Sequence, residues 1–453
     1  MTLHAGYGVM RRALFAAALL GLAVGPAGAT AIERVISPGG IEAWLVRQPS
    51  VPLVAMDFAM VGGASEDPAD KAGVAHLVAS SIDEGAGDLD SAAYHQRLED
   101  NAIELSFTAN LDHFRGSLRT LTDNRDLAFD TLRLSLTAPR FDEEAVERIR
   151  AQILTDLRRA TTSPGEIASQ TWWQTAFAGH PYGRPIHGTL ESVPHITIAD
   201  LRAYTRRVFA RSRLKIAIVG DIDAATAGLL IDKAFGALPA QPELAAVPTV
   251  APQGLGRRIV IDLDVPQSVI MIGGPGVARN DPDFFAAYLV NHILGGGAMS
   301  SRLYTEVREK RGLAYGVSTG LVPLAHTQLI TGSTATRADR TADTLEIIDR
   351  EMKNLADNGP TEQELEKTKS FLKGSYGLYF DTSTKIAAQL VQIQLDNLGI
   401  DYIDRRNGMI DAVTRADAQR MAKRLLDGKM LVTVVGRPQG VTSKDLTASG
   451  SGG

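Results

Sequence analysis

Pro52-Leu-Val-Ala-Met-Asp-Phe-Ala-Met60 and Gln267-Ser-Val-Ile-Met-Ile272 decide how this chain folds, because the same succession of features follows each of them. Both are apolar runs of strand length. Gly62-Gly63 follows the first and Gly273-Gly274 the second, and each glycine pair precedes an Asp-Pro pair, Asp67-Pro68 or Asp281-Pro282, 214 residues apart. A helical pattern then runs from about Ala72 to Ile82 in one copy and through Ala286 to Leu294 in the other. Further on, Glu143-Glu144 opens a long helical pattern, as do Glu362 and Glu364, and the two run on to Ile167-Ala168-Ser169-Gln170 and Ile386-Ala387-Ala388-Gln389 at an offset of 219. Each copy closes on an apolar strand ending in glycine, Ile216 to Gly220 and Leu431 to Gly436. Near-constant offsets at four places in order imply a duplicated domain of about 210 residues.

Strands and helices mix within each copy, and long helices separate strands that are not neighbours. The implied class is α+β, each domain an antiparallel-rich sheet with helices packed on one face. The copies are assigned to residues 30–238 and 257–440. Between them, residues 239–256 carry Pro239, Pro242, Pro248, Pro252, Gly254 and Gly256, the composition of a linker. The tail, 441–453, ends Ser-Gly-Ser-Gly-Gly and reads as disordered.

Residues 1–29 read as a targeting segment. Met10-Arg11-Arg12 gives a basic start, Ala13 to Val24 an apolar run, and Ala27-Gly28-Ala29 an A-x-A pattern placing signal-peptide cleavage near Ala29. The implied location is the periplasm or another exported compartment, with no membrane association once the segment is removed. A membrane anchor is the competing reading of the same run. The net charge of −5 becomes −7 without Arg11 and Arg12, which argues against nucleic acid as a partner. With no cysteine, thiolate metal sites and thiol catalysis are excluded.

On the first helical pattern, His76, Ala79 and Ser80 lie at i, i+3 and i+4 and share one face. In an H-x-x-E-H motif those positions hold two zinc-binding imidazoles and the carboxylate that activates water. Here the histidine alone remains. Ala79 cannot accept a proton, and Ser80 is a poor ligand. By itself, a single histidine on a helix is usually structural.

The surroundings of His76 resemble the M16 peptidases, the family of pitrilysin, insulin-degrading enzyme and the mitochondrial processing peptidase. The markers are Gly62-Gly63, Gly73-Val-Ala-His76, His180-Pro-Tyr-Gly183 with Gly188, Val219-Gly220-Asp221, and Gly295-Gly-Gly-Ala-Met-Ser-Ser-Arg-Leu303. The resemblance implies two LuxS-like, processing-peptidase-like domains. It places a third zinc ligand, normally Glu, at Asp156. His76, Ala79, Ser80 and Asp156 are therefore the positions of a degenerate zinc site, and no metal or other cofactor is expected in this chain.

In the second copy, Met299 to Arg311 reads as a helix closed by Gly312, followed by a strand from Leu313. Spacing alone makes Arg308 a surface helix residue and Tyr315 a half-buried strand residue. The resemblance matches them to an Arg/Tyr pair that the family's C-terminal domain presents to zinc-bound substrate. A tyrosine hydroxyl there can donate to a developing oxyanion, with the arginine holding a carbonyl or orienting the ring. The pattern resembles the non-catalytic member of heterodimers whose other chain carries H-x-x-E-H. The implied role is to lend Arg308 and Tyr315 to a zinc-bearing homologous partner that degrades extended peptides added to a sheet edge. Two alternatives stay open: a scaffold without a peptidase role, and a self-sufficient metallopeptidase using His76, Asp156 and Glu84.

Other motifs carry less. Gly316-Val-Ser318-Thr-Gly320 falls inside a strand pattern and lacks the strand-turn-helix of a nucleophile elbow. Gly295-Gly-Gly-Ala298 lacks the Lys of a phosphate loop. His180, His187 and His195 read as loop anchors, and Trp172-Trp173 as core or interface.

Overall fold

A computed structural model describes residues 31–444. The first half forms a sheet from β1 (Ile32–Ile36), β2 (Glu42–Arg47), β3 (Leu53–Val61), β4 (Glu104–Ala109), β5 (His113–Leu121) and β6 (Lys215–Gly220). The second forms one from β7 (Arg258–Ile261), β8 (Gln267–Pro275), β9 (Ala314–Pro323), β10 (Gln328–Arg337) and β11 (Leu431–Val435). Their orders are β1-β2-β6-β3-β5-β4 and β7-β11-β8-β10-β9. Apart from β1 these are one topology written twice. In both, the first pair of the shared order runs parallel (β2 with β6, β7 with β11) and every other pairing is antiparallel. The α+β class and the duplication are thus visible strand by strand.

Alternation along the strands explains how the layers form. On β3, Val54, Met56, Phe58 and Met60 face the first half's own helices, where they pack with Leu77, Phe129 and Phe235. Ala59, with Ala217 and Val219 of β6, faces the other way, into a cluster containing Ile386, Leu390 and Ile393. Those last residues belong to the second half's helix Ser383–Leu395. The reverse also holds. The first half's helix Pro164–Ala176 lies on β8 and β11, where Trp172 Nε1 donates to Leu431 O at 3.1 Å and Thr433 Oγ1 to Ala168 O at 3.0 Å. Gln394 Nε2 makes the matching bond to Ile216 O at 2.9 Å. Each sheet therefore has its own helices on one face and one helix of the other half on the second face. Residues 32–444 accordingly pack as a single compact unit.

Several local expectations change. The long patterns from Glu143 and Glu362 are each two helices. Glu143–Ala160 stops before Thr161-Thr162-Ser163, and Pro164, which lacks an N–H, starts the next helix at its first position. Glu362–Gly374 is separated from Ser383–Leu395 by a 3₁₀ turn, Tyr376–Phe380. Gly273 and Gly274 lie within β8 rather than after it. A Cβ on Gly273 would stand 2.4 Å from Trp172 Cζ2, so the glycine is what admits the exchanged helix. The helix read over Met299 to Arg311 is irregular: a 3₁₀ turn at Ala298–Ser300, then a π-helical stretch at Tyr304–Glu309. Residues 239–256 hold no helix or strand but are tied down, through Glu243 N to Arg207 O, Val250 N to His326 O and Gln253 N to Ala176 O. At the tail, Val441 is buried and Lys444 pairs with Arg258 through backbone bonds, so disorder does not describe 441–444. The targeting segment and residues 445–453 lie outside the described residues. Among the described residues no helix is long and apolar enough to cross a membrane.

Candidate functional site

The helix carrying His76 spans Val74–Ala79, shorter than the sequence pattern because Gly73 enters it at φ 102°, in the left-handed region. It has no side-chain cap of its own. The buried Asp67 carboxylate supplies one, accepting from Gly73 N at 2.8 Å and Ala75 N at 2.9 Å. Burial pushes the Asp67 carboxyl up to about 7, against those two hydrogen bonds and the nearby Arg184 guanidinium. Gly73 packs on Gly188, whose own φ is 79°; a Cβ on Gly73 would lie 2.9 Å from Gly188 Cα. This backbone contact, with Ser192 Oγ donating to Ala72 O at 2.8 Å, presses the loop after His180 onto the helix. It brings His187 over His76, ring centroids 4.5 Å apart. Sequence reading missed that neighbour, since 111 residues separate the two histidines.

The positions read as a degenerate zinc site are only loosely gathered. Ala79 is buried among the apolar residues of its helix, where a catalytic carboxylate would stand. Ser80 is half-buried at the helix end. Asp156 sits exposed on Glu143–Ala160, 3.4 Å from Arg159, close enough to His76 to favour its charged form. Burial outweighs that pull, and His76 titrates down at about 4. Glu84, the remaining candidate, is buried and committed elsewhere: it accepts from Arg148 Nη2 and Ser91 Oγ, each at 2.6 Å. No group of three His, Cys, Asp or Glu side chains among the described residues could hold a metal ion. One imidazole, a methyl group, a hydroxyl and a solvent-facing carboxylate do not fit tetrahedral zinc with an activated water.

Beside His187 opens a cleft of about 530 Å³, walled by Leu157, Trp173 and Ile186 and fringed by Glu166 and Glu191. Of the other histidines of that loop, His180 is an anchor, its Nδ1 accepting from Tyr182 N at 3.1 Å and its Nε2 meeting Pro248 O at 2.9 Å, whereas the His195 side chain is exposed.

The second half brings its two residues together. Arg308 lies in the π-helical stretch, and its guanidinium stacks on the Tyr315 ring at 4.3 Å while Nη1 donates to Tyr315 O at 2.8 Å. The Tyr304 ring backs the same guanidinium at 5.0 Å. Tyr304, four residues before Arg308 and thus one helical turn away, is a neighbour that spacing could have revealed. Tyr315 is the second residue of the edge strand β9, at an irregularity. Thr334 pairs with Val317 but Thr336 with Ala314, leaving Tyr315 and Gly316 to face the single residue Ala335. Such a bulge re-aims side chains. It leaves two successive residues exposed, and Tyr315 keeps 85% of its surface in solvent. Gly316-Val-Ser318-Thr-Gly320 lies wholly within β9.

Two models of one family match the sequence. The insulinase model, peptidase family M16, covers residues 44–190, and the peptidase M16 inactive-domain model covers residues 195–372, together more than half of the chain. The chain belongs to peptidase family M16. A Streptomyces coelicolor protein named as an uncharacterized zinc protease is 29% identical to this M16 chain over 429 residues, 91% of each. The non-peptidase homolog YmxG of Helicobacter pylori is 26% identical over 367 residues, 80% of this chain and 84% of its own. A crystal structure described as the peptidase M16 inactive domain from Pseudomonas fluorescens superimposes with a TM-score of 0.84 at 29% identity, covering 92% of this chain and all of that one. With Ala79 and Ser80 in the motif, this chain is an M16 member of the pseudopeptidase kind.

Proposed function

We propose that this M16 chain is the non-catalytic subunit of a heterodimeric zinc endopeptidase, exported with its partner, and that it acts on the partner's substrate through Arg308 and Tyr315. The observation that carries the reading is the arginine-backed, 85% exposed Tyr315 on a bulged sheet edge, in a chain whose own zinc positions do not fit the metal. A large aromatic held rigidly in solvent contributes little to the fold, yet it is well placed to donate a hydrogen bond across an interface. In this reading Arg308 fixes the ring from behind and the Tyr315 hydroxyl donates to the oxyanion forming on a peptide carbonyl. The metal and the general base belong to an H-x-x-E-H-bearing homologue. Glu84 held by Arg148 and Ser91, and Asp156 turned to solvent, count against peptidase activity of the chain alone.

The test is hydrolysis of a quenched, unstructured peptide by this chain, by an H-x-x-E-H-bearing homologue, and by the two mixed. Activity is expected in the mixture only, falling about 10²–10³-fold in Tyr315→Phe while size-exclusion chromatography still shows the complex. Hydrolysis by the pure chain, or full activity of the Phe variant, would overturn the proposal. A complex that assembles equally well and is equally active with both residues replaced would leave a scaffold.

A further inference from the structure

The duplication repeats a cavity as well as a fold. Gln170, Trp173 and Gln174 line the cleft beside His187, and Gln389, Gln392 and Ile393, each 219 positions later, line a cavity of about 200 Å³ in the second half. The chemistry of the two has diverged. The second cavity is walled by Phe284, Tyr288, Tyr376 and Tyr402, and holds two guanidinium groups. Arg279 stacks on Phe284 at 4.1 Å, donates to Tyr402 Oη at 2.6 Å and lies 3.7 Å from Asp396, whose carboxyl burial pushes up. Arg406 is 4% exposed and stacks on Tyr376 at 3.8 Å.

Arg406 has no carboxylate within ion-pairing distance among the described residues. Its Nη1 reaches only Leu372 O at 3.2 Å and Asn407 Oδ1 at 3.4 Å, with Tyr288 as a further hydrogen-bond partner. A guanidinium carries five donors, and a buried charge without a counter-ion is costly. Tying helix Tyr402–Asp411 to Leu372 needs only a neutral donor, so that tie does not account for the charge. The cavity is therefore short of one anion, and its walls suit a flat or apolar stem.

We propose that this cavity binds a carboxylate on an aromatic or short aliphatic stem, carried by a peptide or by a free acid. The full-length chain would be titrated against 4-fluorobenzoate by ¹⁹F NMR, with 4-fluorobenzamide as the uncharged control. Saturable binding of the acid is expected, about tenfold tighter than the amide. Tyr379→Ala, on the half-exposed rim, should weaken it about tenfold without lowering the melting temperature, and Arg279→Gln should weaken it about tenfold while lowering that temperature, because Asp396 loses its cation. Displacement by an acetylated pentapeptide with a free C-terminal carboxylate, but not by its amide, identifies the peptide as the source; displacement by neither identifies a free acid. No binding at millimolar acid, equal binding of the amide, or indifference to both variants overturns the proposal. None of these measurements involves a second subunit, so they stand or fall apart from the shared active site.

Discussion

Burial, with the His187 ring beside it, disfavours a charged imidazole at His76 and holds its pKa down at about 4. The unfolded chain returns it to about 6.5. A depressed folded value means that the stability tied to neutral His76 is complete above about pH 6.5 and is lost as pH falls from there through 4. NMR titration of the His76 ring protons should give a midpoint near 4, and His76→Asn should flatten the fall in melting temperature across that window. A midpoint near 6.5 would mean that the ring is solvated. Arg308 is the opposite case, a half-buried charge stacked on an exposed ring, a contact worth about 0.5–1 kcal/mol. Tyr304→Ala should barely move the melting temperature, yet it should reduce kcat of the assembled peptidase by freeing the Arg308–Tyr315 pair. Unchanged kcat would remove Tyr304 from the positioning role. At this scale the sequence was informative where chemistry sits on consecutive turns, as with His76, Ala79 and Ser80. It was silent where a loop closes from far away, as His187 does.

At the level of elements, the glycines of β8 matter most. Gly273→Ala places a methyl group against the Trp172 ring and should cost about 1–3 kcal/mol by overpacking. Trp172→Ala empties the same contact and removes the bond to Leu431 O, with a loss of about 3–5 kcal/mol. Chemical denaturation measures both, and a neutral Gly273→Ala would show that helix Pro164–Ala176 can shift. The strands were legible because their apolar runs are short and bounded. The helices beyond Glu143 and Glu362 were misjoined because apolar periodicity survives across Thr161-Thr162-Ser163, where the backbone breaks. Gly273-Gly274 resembled a turn because a sequence does not show which ring will press on a strand.

For the whole molecule, the exchange of helices predicts that neither half is self-sufficient. Residues 31–250 expressed alone should be insoluble or loosely packed, since Ala59, Ala217 and Val219 lose the helix that covers them. Co-expression with residues 251–444 should restore a cooperative melt. A well-folded first half on its own would contradict this. The duplication was readable from four matched offsets, but the exchange was not, because each helix keeps the same apolar pattern whichever sheet it covers. The exchange also imposes an order in time. A ribosome that has finished β6 has made every strand of the first sheet, yet helix Ser383–Leu395 has still to be translated. At about 5–20 residues per second, that delay is on the order of ten seconds or more. Throughout it an apolar sheet face is bare, so the nascent chain is most exposed to aggregation and to chaperones well before its last strand is made.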